Sequence, residues 1–569
     1  MRQIATGAIV KLGAMARMEP RQFYGHIHRR IRNMLVPYLA PRYRQSLQKV
    51  ADALPPFAPV KEATALAELV TSFYAAEYSE TLPDAFDGCF HLMNKTVDFG
   101  SIEEIDWRVK ADEGDRQIWR ANLSQMSYLP VALKNHPDKA IPFAARIIRS
   151  FRAVARFENS RDFHEAWHPY IASRRVLGLS SLLLLAPHCA RGGKDWAEIE
   201  DFLRLNVAFI LRNLEVDIGV NHLERNLSAL ALFSLCCASV PGEIAAILRD
   251  NFDAIVRKTI CDDGVPKERS AMYHALTIES CRIYRALPVW SDEQGALLDH
   301  RLATMEIALS ALTLGDGHPV LFNDSWLGEN PPTAEIVGDR DIGFHVMPEG
   351  GYVRLKSDDW IVVMDAGPIG PSENPGHGHA DFLSVEASIG KHRFFVDPGT
   401  LIYTAGEVRN HLRSWEAHNG PAFLGAHPVT FIDSFKVGRN AAAVLDRAWQ
   451  EADGAQRSEG SLQFSSYGVS RTTELDGSIL TIRDRWTGNG KRRSRFLVPG
   501  EWEIERAGEA ILFCLGPHAA RLTWSADARL EMGSSYWSRY YRIEEPAHEL
   551  IFSPPSGVDA VEMRTELLS

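Results

Sequence analysis

From about residue 60 to residue 315, apolar side chains recur at helical spacing. Segments such as EATALAELVTSFYAAEY, ALKNHPDKAIPFAARIIRSFRAVARF, WAEIEDFLRLNVAFILRNLEV and EIAAILRDNFDAIVRKTI each pair an apolar stripe with a charged face, which is the pattern of helices packed on one side. Many such helices in series predict an α-toroid or α-solenoid, although no fixed repeat period is present. The run VLGLSSLLLLA, residues 176–186, reads as a core helix; it falls well short of the roughly 20 apolar residues that span a bilayer. Near residue 347 the texture changes. GGYVRLKSDDWIVVMDAG places β-branched and aromatic residues between turn signals, and in FLSVEASI the residues Leu383, Val385, Ala387 and Ile389 alternate with Ser384, Glu386 and Ser388. Period two is a half-buried strand. Further segments of this kind, for example DGSILTIRDRWTGNG, predict a mostly antiparallel sandwich after the helical half.

Composition agrees with two large domains, because 569 residues exceed what one core usually serves. A net charge of -11 excludes generalised nucleic-acid binding, which needs a basic face. It leaves room for an acidic polysaccharide held in a locally basic cleft. The seven cysteines include the adjacent Cys236 and Cys237 and read as reduced thiols rather than a disulfide framework. At the N-terminus, Arg2 and an A-M-A triplet are secretory features, but Lys11 interrupts the apolar stretch, so a cleavable signal peptide is not favoured.

Candidate chemistry gathers in four stretches. GHGHADFLSVEASIGKHRFFVDPGT, residues 376–400, concentrates metal-competent groups where a sheet begins. If the strand extends back that far, His377, His379 and Asp381 share parity and face one side. Asp397 follows across a tight turn at GKHR, and His418 lies further on in RSWEAHNG. Two imidazoles and a carboxylate suit a zinc-like divalent ion; histidines hydrogen-bonded within the sheet are the alternative. In VNHLERNLSALALFSLCC, Leu223, Leu227 and Leu230 form an apolar stripe while His222 and Asn226 lie on another face, and Asn221 is either a helix cap or a catalytic amide. In DDGVPKERSAMYHALTIES, Ser270 as a cap puts Tyr273 and His274 in the first turn beside Arg269. There the helix N-terminus and the cation favour a phenolate, the alternative being a tyrosine that packs through its ring. EAWHPYIASRR clusters Trp167, His168, Tyr170, Arg174 and Arg175, a set that suits sugar rings bearing carboxylates or an ordinary helix-packing corner.

Together these stretches resemble the heparinase II/III family of polysaccharide lyases. The resemblance is strongest in GHGHADFLSVEASIGKHRFFVDPGT with RNHLRSWEAHN, and is supported by NHLERN, ERSAMYHAL, GDGHPVLFND and WHPY in the expected order. It implies an N-terminal incomplete (α/α) toroid joined to a C-terminal antiparallel β-sandwich, with the active cleft between them. On this chain that is a helical extension over residues 1–60, a toroid over 61–340 and a sandwich over 341–569. It also implies β-elimination at uronic acids of acidic polysaccharides such as glycosaminoglycans or alginate, leaving a 4,5-unsaturated uronate. Position by position, Asn221 and His222 match the pair that meets the uronate carboxylate, Tyr273 the catalytic tyrosine, and His377 the histidine that works opposite it. His379, Asp397 and His418 match the ligands of one divalent metal ion, zinc before manganese or calcium, with a mainly structural role. Trp167, His168, Tyr170, Arg174, Arg269, Arg409 and Arg413 are expected on the substrate, where arginine reads carboxylate and sulfate alike. The loop HNGPAFLG after His418 departs from the family pattern.

Two other readings compete. A glycoside hydrolase on a toroid needs two carboxylates across the scissile bond, and Asp262, Asp263, Glu268, Asp316 and Asp324 are available. A non-catalytic carbohydrate-binding or exopolysaccharide-pathway factor would keep only the metal. Asn221, His222, Tyr273 and His377 occurring together favour a lyase acting on an acidic polysaccharide or oligosaccharide. Nucleic-acid partners and transmembrane segments are not expected, a homo-oligomer is compatible with the sequence, and a cytoplasmic location is favoured over a periplasmic one.

Overall fold

The structure is a computed structural model that describes residues 20–79, 81–114, 117–372 and 374–568. The signal-peptide reading rests on residues 1–19 and lies outside them. The chain forms two compact units. Unit 1 runs to Thr259 and also takes in Leu276–Leu302 and Gly328–Pro331; unit 2 comprises Ile260–Ala275, Ala303–Leu327 and Pro332–Ser569. Residues 260–275 and 303–327, inside the range expected for the toroid, therefore pack with the β-rich unit.

Unit 1 is built on helices. Pro169–Leu185, which carries the apolar run, is buried along nearly its whole length and packs against Glu62–Tyr78, Gly193–Leu211 and Val220–Leu235. An apolar surface on every side has no face to offer water, so such a helix takes the centre. Arg174 and Arg175 are the charged exceptions in its sequence, both buried. The Arg175 guanidinium donates to Asn206 Oδ1 at 3.0 Å and to the carbonyls of Ser124 and Ala166 at 2.9 and 2.8 Å, while its Nη2 finds no acceptor among the described residues. One element departs from the helical expectation: Cys89–Leu92 and Lys95–Asp98 form an antiparallel hairpin. Met93 and Asn94 turn it with φ of 51° and 54°. Strands of four residues leave too little alternation for a period to show.

Unit 2 carries three larger sheets, and every strand pair in them is antiparallel. Five strands from His345–Met347 to His392–Phe395 follow in sequence order; eight more run from Ala443–Gln450 at one edge to Glu503–Ala507 at the other; four lie in the order Arg529–Trp537, Glu545–Ser553, Arg492–Pro499, Pro421–Phe423. One continuous apolar core joins the three, with Trp360, Phe394, Phe423, Phe496 and Trp486 at its heart. The strand predicted at FLSVEASI begins only at Val385 and is buried on both faces rather than alternately, because the apolar core takes Val385, Ala387 and Ile389 while the segment carrying Gly315 and Leu321 bonds Ser388 and Glu386. His377, His379 and Asp381 thus lie before the strand, in a turn and the irregular chain after it, and share no strand parity.

Candidate active site and metal centre

In unit 2, Ser270 ends the connection that precedes the helix Ala271–Arg285. Its Oγ accepts the Tyr273 N–H at 3.3 Å and donates to the Asp324 carbonyl at 2.7 Å. The expected cap is therefore present, and it fixes the turn that bears Tyr273 to the segment that bears Asp324. The Tyr273 ring lies 4.4 Å from the His377 ring, with the planes 43° apart. Its hydroxyl is 3.5 Å from that of Tyr403. Asp324 Oδ2 accepts His377 Nδ1–H at 3.0 Å, and the Asp324 N–H donates to the His377 carbonyl at 3.0 Å. A carboxylate on Nδ1 holds the imidazole in one orientation and fixes its tautomer.

Asp324 is wholly buried. Burial alone would raise its carboxyl, but the Arg409 guanidinium and the hydrogen bonds of His377 and His379 hold it well below the ordinary carboxylate range. Arg409 grips it with two parallel bonds, Nη2 to Oδ2 at 2.8 Å among them. The other Asp324 oxygen meets His379 Nε2 at 3.0 Å. One carboxylate thereby links His377, His379 and Arg409.

His379, Asp397 and His418 present ligand atoms within 4.8 Å of one another, and all three are buried. Asp397 follows the hairpin of Val385–Ile389 and His392–Phe395, and His418 follows the short turn Trp415–Ala417. His418 Nδ1 meets Asp397 Oδ2 at 2.7 Å. His379 Nδ1 and His418 Nε2 are buried without a hydrogen-bond partner among the described residues, and burial pushes the two imidazoles down to about 3 and about 4, so both are neutral. Burial likewise pushes the Asp397 and Asp381 carboxyls well above their ordinary values. Neutral imidazoles with unsatisfied nitrogens beside crowded carboxyls are the donor set that a divalent cation satisfies. Asn419 braces the loop, its side chain bonding Val385, Val396 and Leu497 of three chain segments.

In unit 1, Asn221 and His222 occupy the first turn of Val220–Leu235. Gly219, not Asn221, stands at the cap position, so the capping role is excluded. His222 Nδ1 meets Glu215 Oε1 at 2.9 Å, and His168 Nε2 approaches the same oxygen at 3.5 Å. Glu215 Oε2 accepts from Asn226 at 3.1 Å. Burial works to raise the Glu215 carboxyl, but the charges of the two imidazoles and the hydrogen bonds of His222 and Asn226 bring it to about 2. Tyr170 packs on the His222 ring at 4.8 Å. Glu215 was not singled out in the sequence; its only signal is its place seven residues before His222.

Four backbone positions show that these turns are imposed by their surroundings. Val220, Arg269, Asn323 and Leu383 have φ of 43°, 59°, 60° and 60°, a region that costs a residue other than glycine about 1–3 kcal/mol. Three of them immediately precede Asn221, Ser270 and Asp324. Between His377 and His379, Gly378 runs so close to the Ile369 carbonyl that a Cβ would lie 2.0 Å from its oxygen. Only glycine fits there.

The basic side chains expected on the substrate are instead committed to the protein. Arg269 pairs with Asp365 at 2.6 Å and bonds the Gly350 and Pro368 carbonyls, so it is not the cation that would favour a Tyr273 phenolate. Arg413 donates to the carbonyls of Gly376, Gly378, Asp433 and Ser434. Arg174 meets Glu329 at 3.3 Å and lies over the Tyr74 ring, Arg409 holds Asp324, and Trp167 is buried with its Nε1–H on the Ala155 carbonyl. Guanidinium donors spent on internal acceptors are not available to a sugar. His168 and Tyr170 remain partly exposed.

Residues 339–564 match the family described as Heparinase II/III-like, C-terminal. Among solved structures, heparinase III is 12% identical over 90% of this chain and 85% of its own, with a TM-score of 0.64. A mutant of the heparan sulfate lyase HepC from Pedobacter heparinus is 15% identical over 94% of this chain and 89% of its own, with a TM-score of 0.56. Among curated proteins, none matches the chain in sequence. At such identities the likeness is one of fold, an N-terminal helical toroid followed by antiparallel sheets. Residues 339–564 thus match a heparinase II/III-like C-terminal domain, in a chain with the fold of heparinase III.

Proposed function

We propose that the protein is a polysaccharide lyase that cleaves a uronate-containing acidic polysaccharide, of the glycosaminoglycan class, by β-elimination. The observation that carries this reading is the Tyr273–His377 contact, with the His377 Nδ1 fixed by a buried carboxylate. It is a proton-transfer pair, whereas hydrolysis would need two carboxylates placed across the scissile bond. Asp324, the acid a hydrolase would claim, is buried, ionised and tied to Arg409.

The C5 proton of a uronate is a poor acid while its carboxylate is charged, so donors must meet that anion before abstraction. Asn221 and His222 take this role, and Glu215 orients His222 for it. Tyr273 and His377 divide the remaining work. One removes the C5 proton, the other protonates O4 as it departs, and the C4–C5 double bond forms as the C4–O4 bond breaks. His379, Asp397 and His418 would hold a divalent ion, zinc by its donor set. That ion would supply rigidity to the turn in which His377 stands two residues from His379 and shares Asp324 with it.

Mass spectrometry of the products separates the chemistries. Elimination yields a fragment one water lighter than its hydrolytic counterpart. Fragments carrying that added water would replace the lyase with a hydrolase, and bound but uncleaved polysaccharide would make the protein a carbohydrate-binding factor.

A further inference from the structure

The helix Pro20–Asp52 presents an apolar face that nothing in the described structure covers. Tyr24, Ile27, Ile31, Met34, Leu35 and Tyr38 are all exposed, Tyr24 at 71%, Met34 at 61% and Tyr38 at 84%. Six of the sixteen large apolar side chains exposed among the described residues thus fall within one stretch of helix. Scattered surface apolar residues are ordinary, whereas a contiguous patch marks a contact. At about 100° per residue the six occupy one arc of roughly 100°, over a length of about 21 Å. The helix kinks just beyond them, where Leu39 leaves helical geometry between Pro37 and Pro41.

The opposite face is tied down within unit 1. Arg29 pairs with Asp217 at 2.7 Å, Arg32 donates to Asn213 at 2.7 Å, and Val36, Ala40 and Leu47 are buried. Rotation of the helix to hide its stripe would break these contacts. The stripe therefore points outward in the folded protein.

Charge selects the occupant. Residues 20–51 contain seven arginines and lysines and no aspartate or glutamate, in a chain whose net charge is -11. Exposed His28 and Arg30 border the stripe on its two sides, and exposed Arg42 follows it. A second copy laid on this face would set the basic borders against each other. An anionic bilayer surface meets both features, taking the apolar arc among its acyl chains and the cations at its headgroups. Among the described residues no helix is long and apolar enough to cross a membrane, so the contact is a helix lying on the surface.

We infer that Tyr24–Tyr38 is a docking surface for membranes rich in anionic phospholipid. This goes beyond the lyase reading and does not depend on it. The test is flotation of the full chain with vesicles of phosphatidylglycerol and phosphatidylcholine, compared with vesicles of phosphatidylcholine alone. The expected result is binding to the anionic vesicles that is at least about tenfold stronger, since each arginine near such a surface contributes about 1 kcal/mol. Ile31→Glu with Met34→Glu should abolish it without changing the circular dichroism spectrum or Tm, because both side chains are exposed. Arg30→Glu with Arg42→Glu should remove the preference for anionic lipid. No binding to either vesicle, equal binding to both, or binding that Ile31→Glu with Met34→Glu retains would overturn the inference. So would a dimer in light scattering that the same double substitution dissolves, which would assign the stripe to a second copy.

Discussion

At the scale of single residues, the proposed chemistry rests on groups whose neighbours fix them. Tyr273→Phe removes one oxygen and no packing, so turnover should fall by about 10²–10⁴-fold while metal content and Tm stay at wild-type values. Near-normal turnover would take Tyr273 out of the mechanism. Glu215→Gln keeps the shape and removes the charge that holds His222 and His168. A hydrogen bond to a charged group contributes about 1.5–3 kcal/mol, so kcat/KM should drop by about 10- to 100-fold, and an unchanged value would leave His222 oriented by other means. The sequence named His222 and Tyr273 from their motifs, yet it could not name Glu215 or Tyr403. Neither stands in a spacing that means anything until the chain folds. The arginines show the converse, since Arg174, Arg269, Arg409 and Arg413 look like anion readers in sequence and are internal struts in the structure. A guanidinium's partners are set by tertiary contact, which periodicity does not encode.

At the scale of elements, the decisive feature is a turn rather than a strand. Period two in FLSVEASI correctly marked a strand, but the residues just upstream leave the sheet, and Gly378 passes against the Ile369 carbonyl. Gly378→Ala should therefore displace His377 and His379 together, lowering turnover and metal content in parallel. Metal content unchanged beside lost turnover would separate the two. The Asp324–Arg409 pair binds the helix Glu407–Leu412 to this turn. Arg409→Met leaves a buried carboxylate uncompensated and should destabilise the protein by about 3–5 kcal/mol, read as a lowered midpoint in urea. A midpoint like that of the wild type would mean that Asp324 is neutral in the folded protein.

At the scale of the whole molecule, the division into a helical half and an antiparallel β half was legible because each period persists over many residues. The packing of 260–275 and 303–327 with the β-rich unit was not, since the helical period of Ala271–Arg285 and Asp292–Ala311 does not say which unit a segment packs with. The buried His274 and the half-buried His168 also tie global stability to pH. His274 is pushed down to about 3 and His168 to about 4 by burial, against 6.5 in the unfolded chain. Below pH 6.5 the unfolded state takes up these protons first, so the stability they contribute is complete above that pH and is lost as pH falls toward 4. Tm should decline over that interval, and a flat profile would show that these imidazoles are already charged in the folded state. The most direct test of the central claim is the ultraviolet absorbance of conjugated unsaturated uronate during incubation with a panel of glycosaminoglycans, alginates, glucuronans and their oligomers, run with the wild type and Tyr273→Phe side by side. The account predicts a rise on at least one uronate polymer with the wild type and almost none with Tyr273→Phe. No rise on any of them with folded, metal-loaded protein, or an equal rise with both, would contradict it.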